Sequence, residues 1–315
     1  MKTGKIFIPL VVTVMFILGL SNAQAQTRIS IGTGGTGGVY FPMGGGVAEV
    51  FNKYLKGVTA RAEVTGASTE NARLVGANQQ QIALANADTA YYAYHGQREF
   101  KKPLDILSMF SMYPSNMQIV CLKDSPINSI ADLKGKRVAV GPPGGNTFVL
   151  TWVILKAHGF TEKDIKPVYQ TFVESVDSIR DGNIDAVFIL AGYPNSAVLD
   201  LANTRSIKLI PTADSMIKKI FEEYKFYTGS PIPAGTYKGV DQPIQSVVIM
   251  NIWIVNKTLP DDLVYRMVKA IFDHKDFLVS VHTKAADMNL RDAVQVPCPM
   301  HPGAIRYFKE VGALK

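Results

Sequence analysis

Two glycine-rich segments are the residues best suited to chemistry in this sequence. Gly32-Thr33-Gly34-Gly35-Thr36-Gly37 precedes a stretch with helical spacing, and so does Gly144-Gly145-Asn146-Thr147 about a hundred residues later. Glycine lets the backbone approach a ligand closely and turn its N–H groups outward. A helix start adds about half a positive charge. Together these predict capture of a carboxylate or phosphate without any arginine. A third polar helix start, Ser68-Thr69-Glu70-Asn71, offers an N-cap hydroxyl at Ser68 and an early-turn acid at Glu70. One such loop alone reads as an ordinary strand-to-helix turn. Two at corresponding places in two similar lobes predict a shared cleft.

Other chemistries fit less well. The first loop satisfies G-x-G-x-x-G, the pattern of a dinucleotide site. However, the tip after the second predicted strand carries Gly66 where a ribose-binding acid would stand. The histidines His95, His158, His274, His282 and His301 have no metal-ligand spacing. G-x-S-x-G and H-E-x-x-H are absent, and no nucleophile is paired with a base. The expectation is a binding protein that uses no cofactor and no metal and is not an enzyme. A hydrolase built on Asp88 or Glu70 is the enzymatic alternative.

The elements that must hold these loops follow from hydrophobic periodicity. Residues 29–32, 58–64 and 82–87 read as strands, with helices over 41–55 and from Ser68 through Val75. The order repeats with strands at 137–141, 166–169 and 186–190 and helices at 148–158 and 173–180. "QQQIALANAD" (79–88) and "DGNIDAVFILAG" (181–192) echo each other. This alternation predicts α/β layers with a mixed, mainly parallel sheet. Two apolar, β-rich segments, 107–122 with Pro114 at its middle and 245–255, are expected to cross between lobes. The second is followed by a helix opened by Leu259-Pro260-Asp261-Asp262 and running to about Val281. The predicted lobes are 26–112 plus 241–315, and 113–240.

The chain has 315 residues, of which 47% are hydrophobic and 19% charged, which excludes a disordered chain. Residues 1–25 read as a cleavable export signal: Lys2 and Lys5, an apolar stretch over 6–20, then Ala23-Gln24-Ala25. Loss of those residues lowers the formal charge from +7 to +5. The remaining basic residues, such as Lys101, Lys136 and Lys218, form no stripe, so nucleic acid is not an expected partner. Export places Cys121 and Cys298 in an oxidising compartment, where they could be paired or free.

Several motifs jointly resemble the TAXI-type solute receptors of TRAP transporters. They are "GTGGTGGVY" (32–40), "VTGASTENARL" (64–74), "DLKGKRVAVGPPGGNTF" (132–148), "IPAGTY" (232–237) and "HPGA" (301–304). The resemblance runs from about residue 28 to the end. It implies a type II periplasmic-binding-protein fold, a periplasmic location and a monomer partnered by an integral-membrane TRAP permease. It also implies a small carboxylate ligand: glutamate, glutamine, a dicarboxylate or a keto acid. By the same resemblance the ligand would meet Gly35, Thr36, Gly37, Gly38, Val39, Tyr40, Ser68, Asn71, Asp88, Thr89 and Tyr92. From the second lobe it would meet Asn146, Thr147 and the turn Gly192-Tyr193-Pro194. The better-known TRAP receptors fork the carboxylate with an arginine. Arg73 stands in the right neighbourhood but on a helix, so anion binding falls to backbone N–H groups and hydroxyls. If Glu70 and Asp88 face the cleft they suit a ligand ammonium; if Glu70 serves its helix cap, a dicarboxylate or keto acid fits better. An enzyme on the same fold and a sensor module without a permease are the alternatives.

Overall fold

The computed structural model describes residues 26–315, so the predicted export signal at 1–25 lies outside the described residues. The first alternating run is β1 (Thr27–Gly32), α1 (Tyr40–Tyr54), β2 (Val58–Glu63), α2 (Ser68–Gly76), β3 (Ile82–Asn86) and α3 (Ala87–His95). The long strand β4 (Ile106–Leu122) follows. The second run is β5 (Arg137–Ala139), α4 (Asn146–Ala157), β6 (Lys166–Val168), α5 (Phe172–Arg180), β7 (Ala186–Ala191) and α6 (Ser196–Thr204). It continues with β8 (Ile207–Leu209), α7 (Asp214–Glu223) and β9 (Thr228–Ile232). A second long strand, β10 (Ile244–Asn256), leads to α8 (Asp261–Asp273), α9 (Lys275–Val281), α10 (Leu290–Ala293) and α11 (Pro302–Glu310).

The strands form one mixed sheet in the order β2-β1-β3-β10-β4-β7-β5-β6, with β8 on β4 and β9 on β10. Parallel pairs lie at both ends: β1 with β2 and β3, and β5 with β6 and β7. The two long strands run antiparallel between them. β10 pairs β3 through 251–255 and β9 through 244–248, while β4 pairs both β10 and β7. They coincide with the two apolar segments, 107–122 and 245–255, singled out in the sequence. Pro114 faces Met250, and the ladder register slips between Met250 and Ile252. Proline has no N–H to give to the ladder, so an irregularity beside it is tolerated.

Helices cover both faces of the sheet. In β3, Ile82 and Leu84 join one apolar core and Ala83 and Ala85 the other. In β7, Val187 and Ile189 face one side and Phe188 and Leu190 the other. Strands buried on both faces need continuous apolar runs, which is why these two segments read so plainly.

Two expectations change, and the open question of the cysteines is answered. The helix expected to reach Val281 breaks at His274, which leaves helical geometry (φ −114°, ψ 27°). His274 stacks on Tyr54 with ring centroids 3.6 Å apart, and that packing accompanies the break. Ser68 is not an N-cap: Ala67 holds that position at φ 71°, and the Ser68 hydroxyl is taken up by Asn86. Cys121 and Cys298 are both free and buried. Burial pushes their thiols up to about 12 and about 11, so both stay protonated at neutral pH.

The "HPGA" motif has a packing role. Pro302 opens α11, and Gly303 lies so close to α8 that a Cβ there would sit 2.2 Å from the Asp261 carbonyl oxygen and 2.8 Å from the Tyr265 nitrogen. Gly303→Ala is expected to cost about 1–3 kcal/mol, the usual range for overpacking. A urea unfolding curve that matches wild type would show that α11 can move away freely.

Candidate functional site

A cavity of about 140 Å³ lies where the two alternating runs meet. Its walls come from the loop entering α1, the 64–68 segment entering α2, the 142–147 segment entering α4 and the start of α5. Its floor is formed by Asn86, Tyr113, Ser115 and Leu190 from the sheet.

Four helix starts therefore reach the cavity. α1, α2 and α4 begin after Val39, Ala67 and Gly145, and none of these gives its helix a side-chain cap. The first amides of an uncapped helix lack intrahelical acceptors, and the helix dipole favours an anion there. The fourth, α5, is closed by its own capping box: Thr171 and Glu174 bond reciprocally. The loop before α1 is held by Gly38 N–H donating to Gly35 O at 3.0 Å. The turn before α2 is held by Gly66 N–H donating to Glu70 Oε2 at 2.5 Å.

The floor is organised by one buried amide. Asn251 Oδ1 accepts from the Tyr40 hydroxyl (2.6 Å), Asn86 Nδ2 (3.0 Å) and the Ser115 hydroxyl (3.3 Å). Its Nδ2 donates to Tyr113 O at 2.7 Å and Ser115 Oγ at 2.9 Å. Burial raises the Tyr40 hydroxyl above the ordinary tyrosine range, so it remains a donor. The Tyr113 hydroxyl, also buried, has no hydrogen-bond partner. Among the described residues no charged side chain lines the cavity.

The sequence matches the NMT1-like family over residues 31–312. The chain belongs to the NMT1-like family. A stretch of 86 residues is 34% identical to a putative aliphatic sulfonates-binding protein of Escherichia coli K12, covering 27% of each chain. The match thus spans about a quarter of that curated relative. A solved protein from Bordetella bronchiseptica RB50 superposes with a TM-score of 0.53 at 15% identity, over 92% of this chain and 90% of the other. The periplasmic aliphatic sulphonate binding protein of Escherichia coli gives 0.46 at 13% identity, over 90% and 83%. At such identities the likeness is one of fold alone, an α/β architecture built on a mixed sheet.

In this NMT1-like chain seven of the expected site residues line the cavity: Gly35, Gly38, Val39, Tyr40, Ser68, Asn146 and Thr147. The others lie outside it for definite reasons. Thr36 and Gly37 border a separate notch with Val173 and Ser196. The Gly37 carbonyl accepts from Asn195 Nδ2 (2.9 Å) and the Ser196 hydroxyl (3.2 Å), tying the first glycine loop to the start of α6. Asn71 is buried, donating to Thr33 O and Leu84 O at 2.7 Å each. Asp88 lies buried behind Asn146: its carboxylate accepts from Asn146 Nδ2 (2.9 Å), Thr89 N–H (2.6 Å) and the Tyr227 hydroxyl (2.5 Å). Thr89 packs against that carboxylate. The Tyr92 ring carries the Arg98 guanidinium at 4.5 Å. Gly192 is pressed by Lys284 and Tyr113, Tyr193 carries the Lys284 ammonium at 3.9 Å, and Pro194 follows a cis peptide. Arg73 donates to Glu99 O, away from the cavity.

Sequence reasoning missed the polar floor of the cavity, Asn86, Tyr113 and Ser115, and the buried Asn251 that organises it. One signal was present. Asn251 interrupts "VVIMNIWIV", and a lone amide in an apolar strand demands buried partners.

Proposed function

We propose that this chain is an exported solute-binding protein that captures a small organic anion and hands it to a membrane permease. The observation that carries this reading is the convergence of three uncapped helix starts on one cavity that has no charged wall among the described residues. Among the described residues no helix is long and apolar enough to cross a membrane, so a separate membrane partner fits a transport role. The motif resemblance favours a TRAP-type permease and a carboxylate. The lobes would be 26–112 plus 241–315, and 113–240, closing about β4 and β10. A ligand shifts such an equilibrium only by its differential affinity for the closed form. A second reading, a sulfonate as the anion, is favoured by the local match to a putative aliphatic sulfonates-binding protein. Either anion would use the same amides.

The test is a melting-shift panel on protein stripped of ligand by unfolding. Small carboxylates and sulfonates are offered, and the solution is then assayed for their consumption. At a hundredfold excess over Kd a true ligand adds about 2.7 kcal/mol, a shift of several degrees. A shift without turnover supports the receptor; turnover favours the enzyme alternative. No shift from any anion sinks the reading.

A further inference from the structure

We infer that the cavity takes a monoanion with a compact apolar body and rejects α-amino acids and dicarboxylates. This rests on the anion-binding reading above and narrows it.

An α-amino acid brings an ammonium that needs a counter-charge when buried, because an unpaired buried charge is expensive. Both nearby acids are committed elsewhere. Asp88 spends its oxygens on Asn146, Thr89 and Tyr227, and Asn146 stands between it and the cavity. Glu70 receives the Gly66 N–H at the mouth of α2. A dicarboxylate needs a second anion subsite. With α1, α2 and α4 all turned on the first anion, the helix start left for it, at α5, is already filled by the carboxylate of Glu174, and among the described residues no lysine, arginine or histidine lines the cavity. Apart from hydroxyls such as those of Thr65 and Thr171, the remaining wall is apolar: Val64, Pro142, Phe172, Leu190 and Ala191.

Size and polarity agree. A cavity near 150 Å³ takes a benzene-sized molecule, so about 140 Å³ suits roughly six to nine non-hydrogen atoms. Tyr113 lines the floor and its buried hydroxyl has no partner among the described residues; a small tilt of the ring would offer it to an oxygen beside the charged group.

The experiment compares matched probes by calorimetry on stripped protein. They are 3-methyl-2-oxobutanoate, 3-methylbutanoate, valine, 2-oxoglutarate, glutamate and 2-methylpropanesulfonate. The compact monoanions, carboxylate or sulfonate, are expected to bind at least tenfold more tightly than valine, glutamate or 2-oxoglutarate. Tyr113→Phe is expected to weaken 3-methyl-2-oxobutanoate about tenfold, the worth of one hydrogen bond, and to leave 3-methylbutanoate unchanged. The hydroxyl has no partner to lose, so the variant should fold as wild type does. Valine, glutamate or 2-oxoglutarate binding as tightly as the monoanions overturns this inference and leaves the anion receptor standing. Failure of every anion overturns both.

Discussion

Asn251→Leu is expected to lower the unfolding free energy by about 3–5 kcal/mol, near the upper end for a single substitution. Asn251 is the one acceptor shared by Tyr40, Asn86 and Ser115, and the donor to the Tyr113 carbonyl. Leucine keeps the volume and removes all of these at once. Each buried group left unpaired costs about 1–3 kcal/mol, and some will find new partners. Urea unfolding measures the loss. A deficit below about 1 kcal/mol would mean that the floor rearranges easily, against the rigid site described here.

Asp88→Ala should cost about 2–4 kcal/mol, because Tyr227, Asn146 and Thr89 N–H lose their common acceptor. Asp88→Asn should be close to neutral, since the amide oxygen can still accept from Asn146 and the Tyr227 hydroxyl can turn to accept. The pair separates hydrogen bonding from charge. Burial pushes the Asp88 carboxyl above the ordinary carboxylate range, against the lowering effect of Tyr227, Thr89 and Asn146. A raised native pKa means that the folded state holds the proton more tightly than the unfolded chain. That contribution is complete below the unfolded value and is lost as pH rises through the native value. The wild-type protein should therefore lose this contribution as pH climbs above the unfolded carboxylate pKa, while Asp88→Asn lacks that slope. Parallel slopes in the two proteins would refute the assignment.

Much of this molecule was readable in one dimension. β3 and β7 announced themselves as short apolar runs because both faces are covered, and the glycine loops marked the turns into α1 and α4. β4 and β10 were visible as apolar segments too long for an ordinary strand. What periodicity could not give was the partner of each polar side chain. Ser68 read as a cap because spacing sees neighbours along the chain, whereas its partner, Asn86, lies eighteen residues away on a strand. Asp88 entered as a ligand contact through the motif resemblance, and spacing could not show that Asn146 and Tyr227, from far along the sequence, enclose it. Tyr113 and Ser115 sit within one long strand, and only its pairing with β10 sets them beneath the glycine loops.

The ladder slip beside Pro114 falls at Asn251, between Met250 and Ile252. A fold that opens by bending its two longest strands would pivot at that level, where a rung is already missing. Displacement is smallest at a fulcrum, so the polar floor would keep its shape while the helix mouths swing apart. An arriving anion would then dock first on a stationary base and be gripped afterwards from above, making the rate of escape a property of the rim rather than of the bed.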